Sequence, residues 1–201
     1  NQIILQLKSM LMNARIEVRP ESTIELSHHY GLMKFREFGA IIIDVINREY
    51  CKKLIVQLPR QKHPYHYHKL KEETFQVLYG SMEVEREGTP TALHAGDLFL
   101  VEPNKWHKFS TLDGVIFEEI STKHFNDDSY YSDNVINKLK DYERNHNIKI
   151  PIYNVNNKST AMREKSFINL KKISFSNFKG ATTLITFLFD KSSLSSSNVN
   201  L

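Results

Sequence analysis

Cysteine is nearly absent from this chain. Cys51 is the single thiol in 201 residues, so no internal disulfide framework can form and a reducing compartment is expected. Long apolar runs are missing too: none approaches the roughly 18–20 residues needed to cross a bilayer, and no leader-like pattern of basic, apolar and small residues is visible. A soluble, cytoplasmic protein without membrane partners is the expectation. Charge of one sign is likewise lacking over most of the chain. Residues 1–149 hold 20 Lys/Arg against 21 Asp/Glu, so the formal charge of +4 comes entirely from residues 150–201, with 7 against 2. A basic nucleic-acid face on the folded part is therefore not expected.

What is present suits one domain built mainly of sheet: 40% hydrophobic and 11% aromatic residues, with Phe and Tyr dominating the aromatics. IILQLKSMLMNAR places Ile3, Leu7, Met10 or Leu11, and Ala14 at helical spacing. That helix opens without a start methionine or a cap, which suggests that residues 1–39 are a helical lead-in left from a preceding domain. A second short helix is expected in HYGLMKFREF, with Ser27 as N-cap, Phe35 and Phe38 facing inward and Gly39 as terminator.

From Ala40 the pattern changes to short β-prone runs: AIIIDVI, KKLIVQL, TFQVLY, SMEVERE, TALH, DLFLVE, HKFST and GVIFEEIS, parted by turn residues. Residues 40–132 are expected to form a small β-barrel. DNVINKLKDYERN, with Ser132 or Asp133 as cap, predicts a closing helix over 133–147. Residues 148–201 form a basic, polar extension expected to be partly disordered, although TTLITFLF within it is β-prone.

The chemistry concentrates in HPYHYHKLKEETFQVLYG, from His63 to Gly80. In an extended run His66 and His68 point the same way, and strand alternation puts Glu73, Phe75, Val77 and Tyr79 on one face and Glu72 on the other. A carboxylate facing the inside of a barrel is costly unless a cation meets it. Two imidazoles and a carboxylate suit Mn, Fe, Zn, Ni or Cu, and His107, opening the run after the Pro103-Asn104 turn, is the natural fourth ligand.

These residues carry a resemblance to the cupin family, a double-stranded β-helix (jelly-roll barrel) here with flanking N- and C-terminal helices. Its first motif, G-x5-H-x-H-x(3,4)-E-x6-G, matches at His66, His68, Glu73 and Gly80, with Arg60 in place of the leading glycine. Its second, G-x5-P-x-G-x2-H-x3-N, matches at Gly96 and His107, with Glu102, Asn104 and Thr111 at the remaining positions. Asn104 tolerates the left-handed backbone a glycine would supply. The resemblance implies one divalent transition metal held by His66, His68, Glu73 and His107, and a pairing of two copies through their sheets.

Residues 20–133 further resemble the cupin that follows the catalytic barrel of sialic acid (N-acetylneuraminate) synthase-like proteins, itself similar to D-lyxose isomerases. The phrases concerned are LSHHYGLMKFREFGAIIIDVINREYCKKLIVQLP, KEETFQVLYG and IFEEISTKHFNDDSYYSD. This implies a manganese-type site for a sugar or sugar acid in bacterial surface-carbohydrate synthesis, and a covalently preceding synthase domain. Lys71 falls on the lysine of the isomerase pattern H-x-H-x2-K-x-E. Resemblance to an E-V-S segment favours Glu119 as its acid/base partner, whereas alternation alone leaves Glu118 and Glu119 open. Tyr79 is the expected sugar-stacking residue, ahead of Tyr65, Tyr67 and Trp106. His28 and His29 are expected to pack or cap, and His63, His94 and His124 carry no assignment. A non-catalytic sugar-binding module and an Fe(II) dioxygenase are the competing readings, and Lys71 separates them from an isomerase.

Overall fold

A computed structural model describes residues 2–19, 22–125 and 127–148. The stretch TTLITFLF and the rest of the extension from residue 149 lie outside the described residues. The elements are α1 (Gln2–Ala14), β1 (Ile24–His28), β2 (Gly39–Asn47), β3 (Tyr50–Gln57), β4 (His66–Tyr67), β5 (Glu73–Arg86), β6 (Thr89–His94), β7 (Leu98–Val101), β8 (His107–Ser110), β9 (Val115–Thr122), β10 (Tyr130–Tyr131), α2 (Asn134–Asn137), α3 (Asp141–Arg144) and β11 (Asn145–Ile148).

The expected runs TFQVLY and SMEVERE are a single strand of 14 residues, β5, which serves two antiparallel sheets. Its first half lies between β7 and β9 in a sheet continuing β9-β3-β2-β1-β11, and its second half between β6 and β8 in a sheet continuing β8-β4-β10. The corner between them is made by a register shift between Val77 and Tyr79 and by Gly80 at φ 80°. A Cβ at Gly80 would collide with the Gly114 carbonyl oxygen, so the glycine that ends the first motif sits where two strands cross too closely for a side chain. The result is the expected jelly roll.

Alternation divides the apolar residues into two clusters. Phe75, Val77, Met82, Val84, Phe109 and Phe117 fill the space between the sheets. Ile24, Leu26, Ile41, Ile43, Leu54 and Val56 point out of the other face, where Leu7 and Leu11 of α1 cover them. The N-terminal helix is thus present as its spacing predicts, and it seals a sheet face.

Two other expected helices are corrected. Ser27 caps nothing: residues 24–28 form β1, paired from Ile24↔Ile43 to His28↔Gly39, and only Leu32–Lys34 makes a 3-10 turn. Strand wins because IELSH alternates, burying Ile24 and Leu26 under α1 while it completes the ladder of β2. Phe35 is buried as expected, whereas Phe38 is half-buried. The closing helix is broken into two single turns, α2 and α3. Asp133 caps the first by accepting from Val135 N at 2.8 Å. The chain then becomes β11 and pairs with β1, because the free edge of β1 offers a ladder that a continued helix would leave unmade.

Candidate metal centre

The site lies where the two sheets face each other. His66 is on β4, His68 follows it, Glu73 opens β5 and His107 opens β8 directly across from His66. Their ligand atoms all fall within 4.8 Å of one another. All four are buried, between 0 and 6% exposed.

The hydrogen bonds around the ligands fix which atoms face inward. His66 Nδ1 lies 3.0 Å from the Pro64 carbonyl, His68 Nδ1 2.7 Å from that of Asp128, and His107 Nδ1 3.0 Å from that of Lys105. A carbonyl only accepts, so each Nδ1 carries a proton, which leaves Nε2 as the atom that each ring turns to the centre. Burial, with His107 and His63 nearby, holds the His66 pKa well below its ordinary value, so that ring is neutral. His107 Nε2 stands 3.2 Å from Glu73 Oε2, yet neither atom has a hydrogen-bond partner. Two lone-pair donors facing each other in a buried space repel unless a cation lies between them. The donor set therefore fits a divalent transition metal, with the Pro64, Asp128 and Lys105 carbonyls orienting the three rings.

Beside the ligands sits a buried ion pair network. Lys71 Nζ is 2.5 Å from Glu73 Oε1 and donates to Glu119 Oε1 at 3.1 Å; Ser121 Oγ also donates to that oxygen, at 3.4 Å. Burial alone would lower the Lys71 pKa, but Glu119 and Glu73 outweigh it and raise it above the ordinary value. Burial likewise works to raise Glu73, and the Lys71 ammonium above all outweighs it, holding the carboxyl well below the usual carboxylate range. The Lys71 ammonium thus stands between two carboxylates. The open choice on β9 falls to Glu119: Glu118 points to the other face and pairs with Lys52 at 2.8 Å.

The departures from the cupin motifs have local explanations. Asn104 adopts φ 63° and Arg60 φ 69°, so both stand in the left-handed region where the motifs carry glycine. Thr111 Oγ1 donates to the Ser81 carbonyl at 2.8 Å and accepts from Gly114 N at 2.9 Å, tying the β8–β9 turn to β5.

A cavity of about 340 Å³ opens onto His66, His68 and Glu73, and is lined also by Lys71, Glu119, His29, His63, His124 and Tyr131. Its walls also include polar residues, among them Glu25, Asp44, Lys53, Asn145 and Asn147. Tyr79 does not line it. The shift at Val77/Tyr79 breaks the alternation, turns Leu78 toward the α1 cluster and leaves Tyr79 37% exposed. Trp106 stacks with Tyr65 and meets Tyr67 edge-on, all three outside the cavity. His28 pairs with His146 at 2.6 Å away from it, and His94 is exposed.

Several lining residues escaped the sequence reading. His29 Nε2 meets the Tyr131 hydroxyl at 3.1 Å, and His63 stacks on Phe109. Asp128 is bonded to four successive residues of the ligand loop, His68 to Lys71. A run of three histidines in HPYHYH hinted that His63 also turns inward; for residues some sixty positions away no local pattern exists.

Comparison with known proteins agrees with this picture. Residues 54–116 match the family described as Cupin domain, a span that holds all four candidate ligands. A D-lyxose ketol-isomerase of a Thermofilum species is 28% identical over 161 residues, covering 65% of this chain and 89% of that protein. A D-lyxose/D-mannose isomerase of Thermosediminibacter oceani is 26% identical over 164 residues, covering 66% and 90%. Among solved structures, the L-ribose isomerase of Cellulomonas parahominis with L-psicose superposes with a TM-score of 0.55 at 17% identity, over 67% of this chain and 91% of that one, which is a likeness of fold. The jelly roll is thus of the cupin type, and among the described residues no helix is long and apolar enough to cross a membrane.

Proposed function

We propose that this protein is a divalent-metal-dependent aldose–ketose isomerase acting on a free monosaccharide of the lyxose or mannose class. The observation that carries the reading is the buried Lys71–Glu119 pair beside the four ligands, 3.1 Å apart and opening on the cavity. A site that only binds metal needs the ligands; it does not need a second, costly ion pair at its flank. The names of the two enzyme relatives support the substrate class.

His66, His68, Glu73 and His107 would hold the metal, which when bound supplies a Lewis acid for the sugar's carbonyl and the neighbouring hydroxyl. Glu119 is the base: it takes a proton from C2 of the open-chain aldose, can exchange it with solvent, and delivers a proton to C1. Lys71, kept protonated by its two carboxylates, faces the oxygens and stabilises the negative charge that develops on them. The hydroxyl proton moves from O2 to O1, so the aldose becomes the ketose with every atom retained and no redox partner consumed. Fixed charges in a buried pocket act at higher strength than in water. Manganese is the proposed metal. A cytoplasmic role in bacterial surface-carbohydrate synthesis of the sialic acid type, as a homodimer, is the proposed setting, resting on the sequence resemblance.

The test is incubation of the manganese-loaded protein with D-lyxose, D-mannose and their ketoses, followed by NMR of the sugar. Interconversion of aldose and ketose is expected. Saturable binding with no conversion of any of them would replace this reading with that of a sugar-binding module.

A further inference from the structure

Between the ligands His68 and Glu73 the chain runs through Lys69–Glu72, four residues outside any strand that carry Lys71 into the site. Their backbone amides have no ladder to join, and each still needs an acceptor. Three of them find it in one side chain. Asp128 accepts from Lys69 N at 2.9 Å, from Leu70 N at 3.0 Å and from Lys71 N at 3.0 Å, and the fourth amide, of Glu72, donates to Thr122 Oγ1 at 3.1 Å. The backbone carbonyl of Asp128 meanwhile takes the Nδ1 proton of His68 at 2.7 Å. Asp128 itself is only 4% exposed.

We infer that Asp128 is a positioning residue: through the Lys69–Lys71 amides it sets where the Lys71 ammonium stands between Glu73 and Glu119, and through its carbonyl it sets the tautomer of His68. A carboxylate is the group best suited to this, because its two oxygens receive three donors that converge on one side of the loop. An amide in its place keeps the shape but turns one oxygen into an NH2 that faces a backbone N–H, so at least one of the three bonds is lost. A loop freed in this way lets Lys71 move relative to Glu119. Displacement on the ångström scale is enough to cost much of the turnover where proton transfer depends on fixed geometry. Thr122 offers the internal control, since it holds the same loop without touching Lys71 or His68.

The inference rests on the isomerase reading for its catalytic part and on the metal centre alone for the other. The experiment compares wild type, Asp128→Asn, Asp128→Ala and Thr122→Val, each checked for folding by its thermal unfolding. Two quantities are read: manganese affinity by chelator competition, and aldose turnover per bound metal. Asp128→Asn is expected to lower kcat per bound metal by about 10–100-fold, as outer-shell partners of metal sites do, with KM changed less than kcat. Asp128→Ala keeps the backbone carbonyl but removes the carboxylate that anchors it to the loop, and is expected to weaken manganese binding by about the same factor, with Thr122→Val leaving both quantities near wild type. If Asp128→Asn keeps wild-type kcat and both Asp128 variants keep wild-type manganese affinity, Asp128 is only a structural tie and the inference is wrong. If wild type shows no turnover, the isomerase reading fails by itself, and manganese affinity alone decides: weaker binding in Asp128→Ala upholds the positioning role, and unchanged binding overturns it.

Discussion

Glu73 is asked to do two things: face three imidazole lone pairs and hold the ammonium of Lys71 at 2.5 Å. Removing Lys71 leaves Glu73 and Glu119 as buried charges without their shared partner. Breaking a buried pair in this way costs about 3–5 kcal/mol. Lys71→Met is therefore expected to lower the urea-unfolding free energy by that order in chelated protein, and by less once manganese compensates the Glu73 charge. An equal loss with and without metal would show that the two sites are not electrostatically linked. At this scale the convergence of His66, His68, Glu73 and His107, with Lys71 beside them, was legible because their spacing is local: the fixed gaps within two motifs set them on neighbouring strand ends. Glu119 was half legible, since alternation separates it from Glu118 without saying which one faces in. Tyr79 was misplaced because a one-residue bulge inverts every later side chain of a strand and leaves no mark in hydrophobic pattern. Asp128 and His29 were invisible, because each meets the site only through tertiary contact.

At the scale of elements, β5 is the member on which the site depends, since it carries Glu73 in one sheet and crosses to the other at Gly80. Gly80→Ala should be destabilising on two counts: about 1–3 kcal/mol for an L residue held at φ 80°, and a further cost for the collision with the Gly114 carbonyl. Gly88 has the same φ of 80° with nothing near its would-be Cβ. Gly88→Ala should therefore show the backbone cost alone, and comparison of the two thermal midpoints isolates the packing part. Equal midpoints would mean that the corner is not as tight as described. The strands were readable from their alternation, and α1 from its helical spacing. The expected cap of the second helix lies in β1, leaving only a 3-10 turn at Leu32–Lys34, and the end of the expected closing helix is β11, because ladder partners across the sheet outweigh local periodicity, and β1 and β11 lie about 120 residues apart in the chain.

For the whole molecule, the buried histidines link stability to pH. His29 is lowered to about 3 by burial, with the charges of Arg144 and His28 adding to it, against a backbone bond to Phe38. His124 is lowered to about 4 by burial and then by Lys53 and Lys71. Groups whose folded pKa lies below the unfolded value of about 6.5 make the folded state bind fewer protons. Their contribution is complete above pH 6.5 and is lost as pH falls toward 4 and 3, by up to about 1.4 kcal/mol per pH unit for the buried His29 and by less for the half-buried His124, which solvent screens. Urea midpoints measured from pH 8 to pH 4 should fall with that sign, and His29→Phe should make the slope shallower. A flat profile, or an unchanged slope in the variant, would contradict the burial described.

The measurement closest to the central claim is solvent exchange at C2 of the sugar. Wild type and Glu119→Gln, both loaded with manganese to the same content, are incubated in D2O with the aldose, and deuterium at C2 is followed by NMR. The account predicts steady incorporation by wild type and a rate lower by about 10²–10⁴-fold in Glu119→Gln, with metal affinity unchanged. Equal exchange by the two proteins would contradict the role given to Glu119, and no exchange by either would contradict isomerisation by proton transfer.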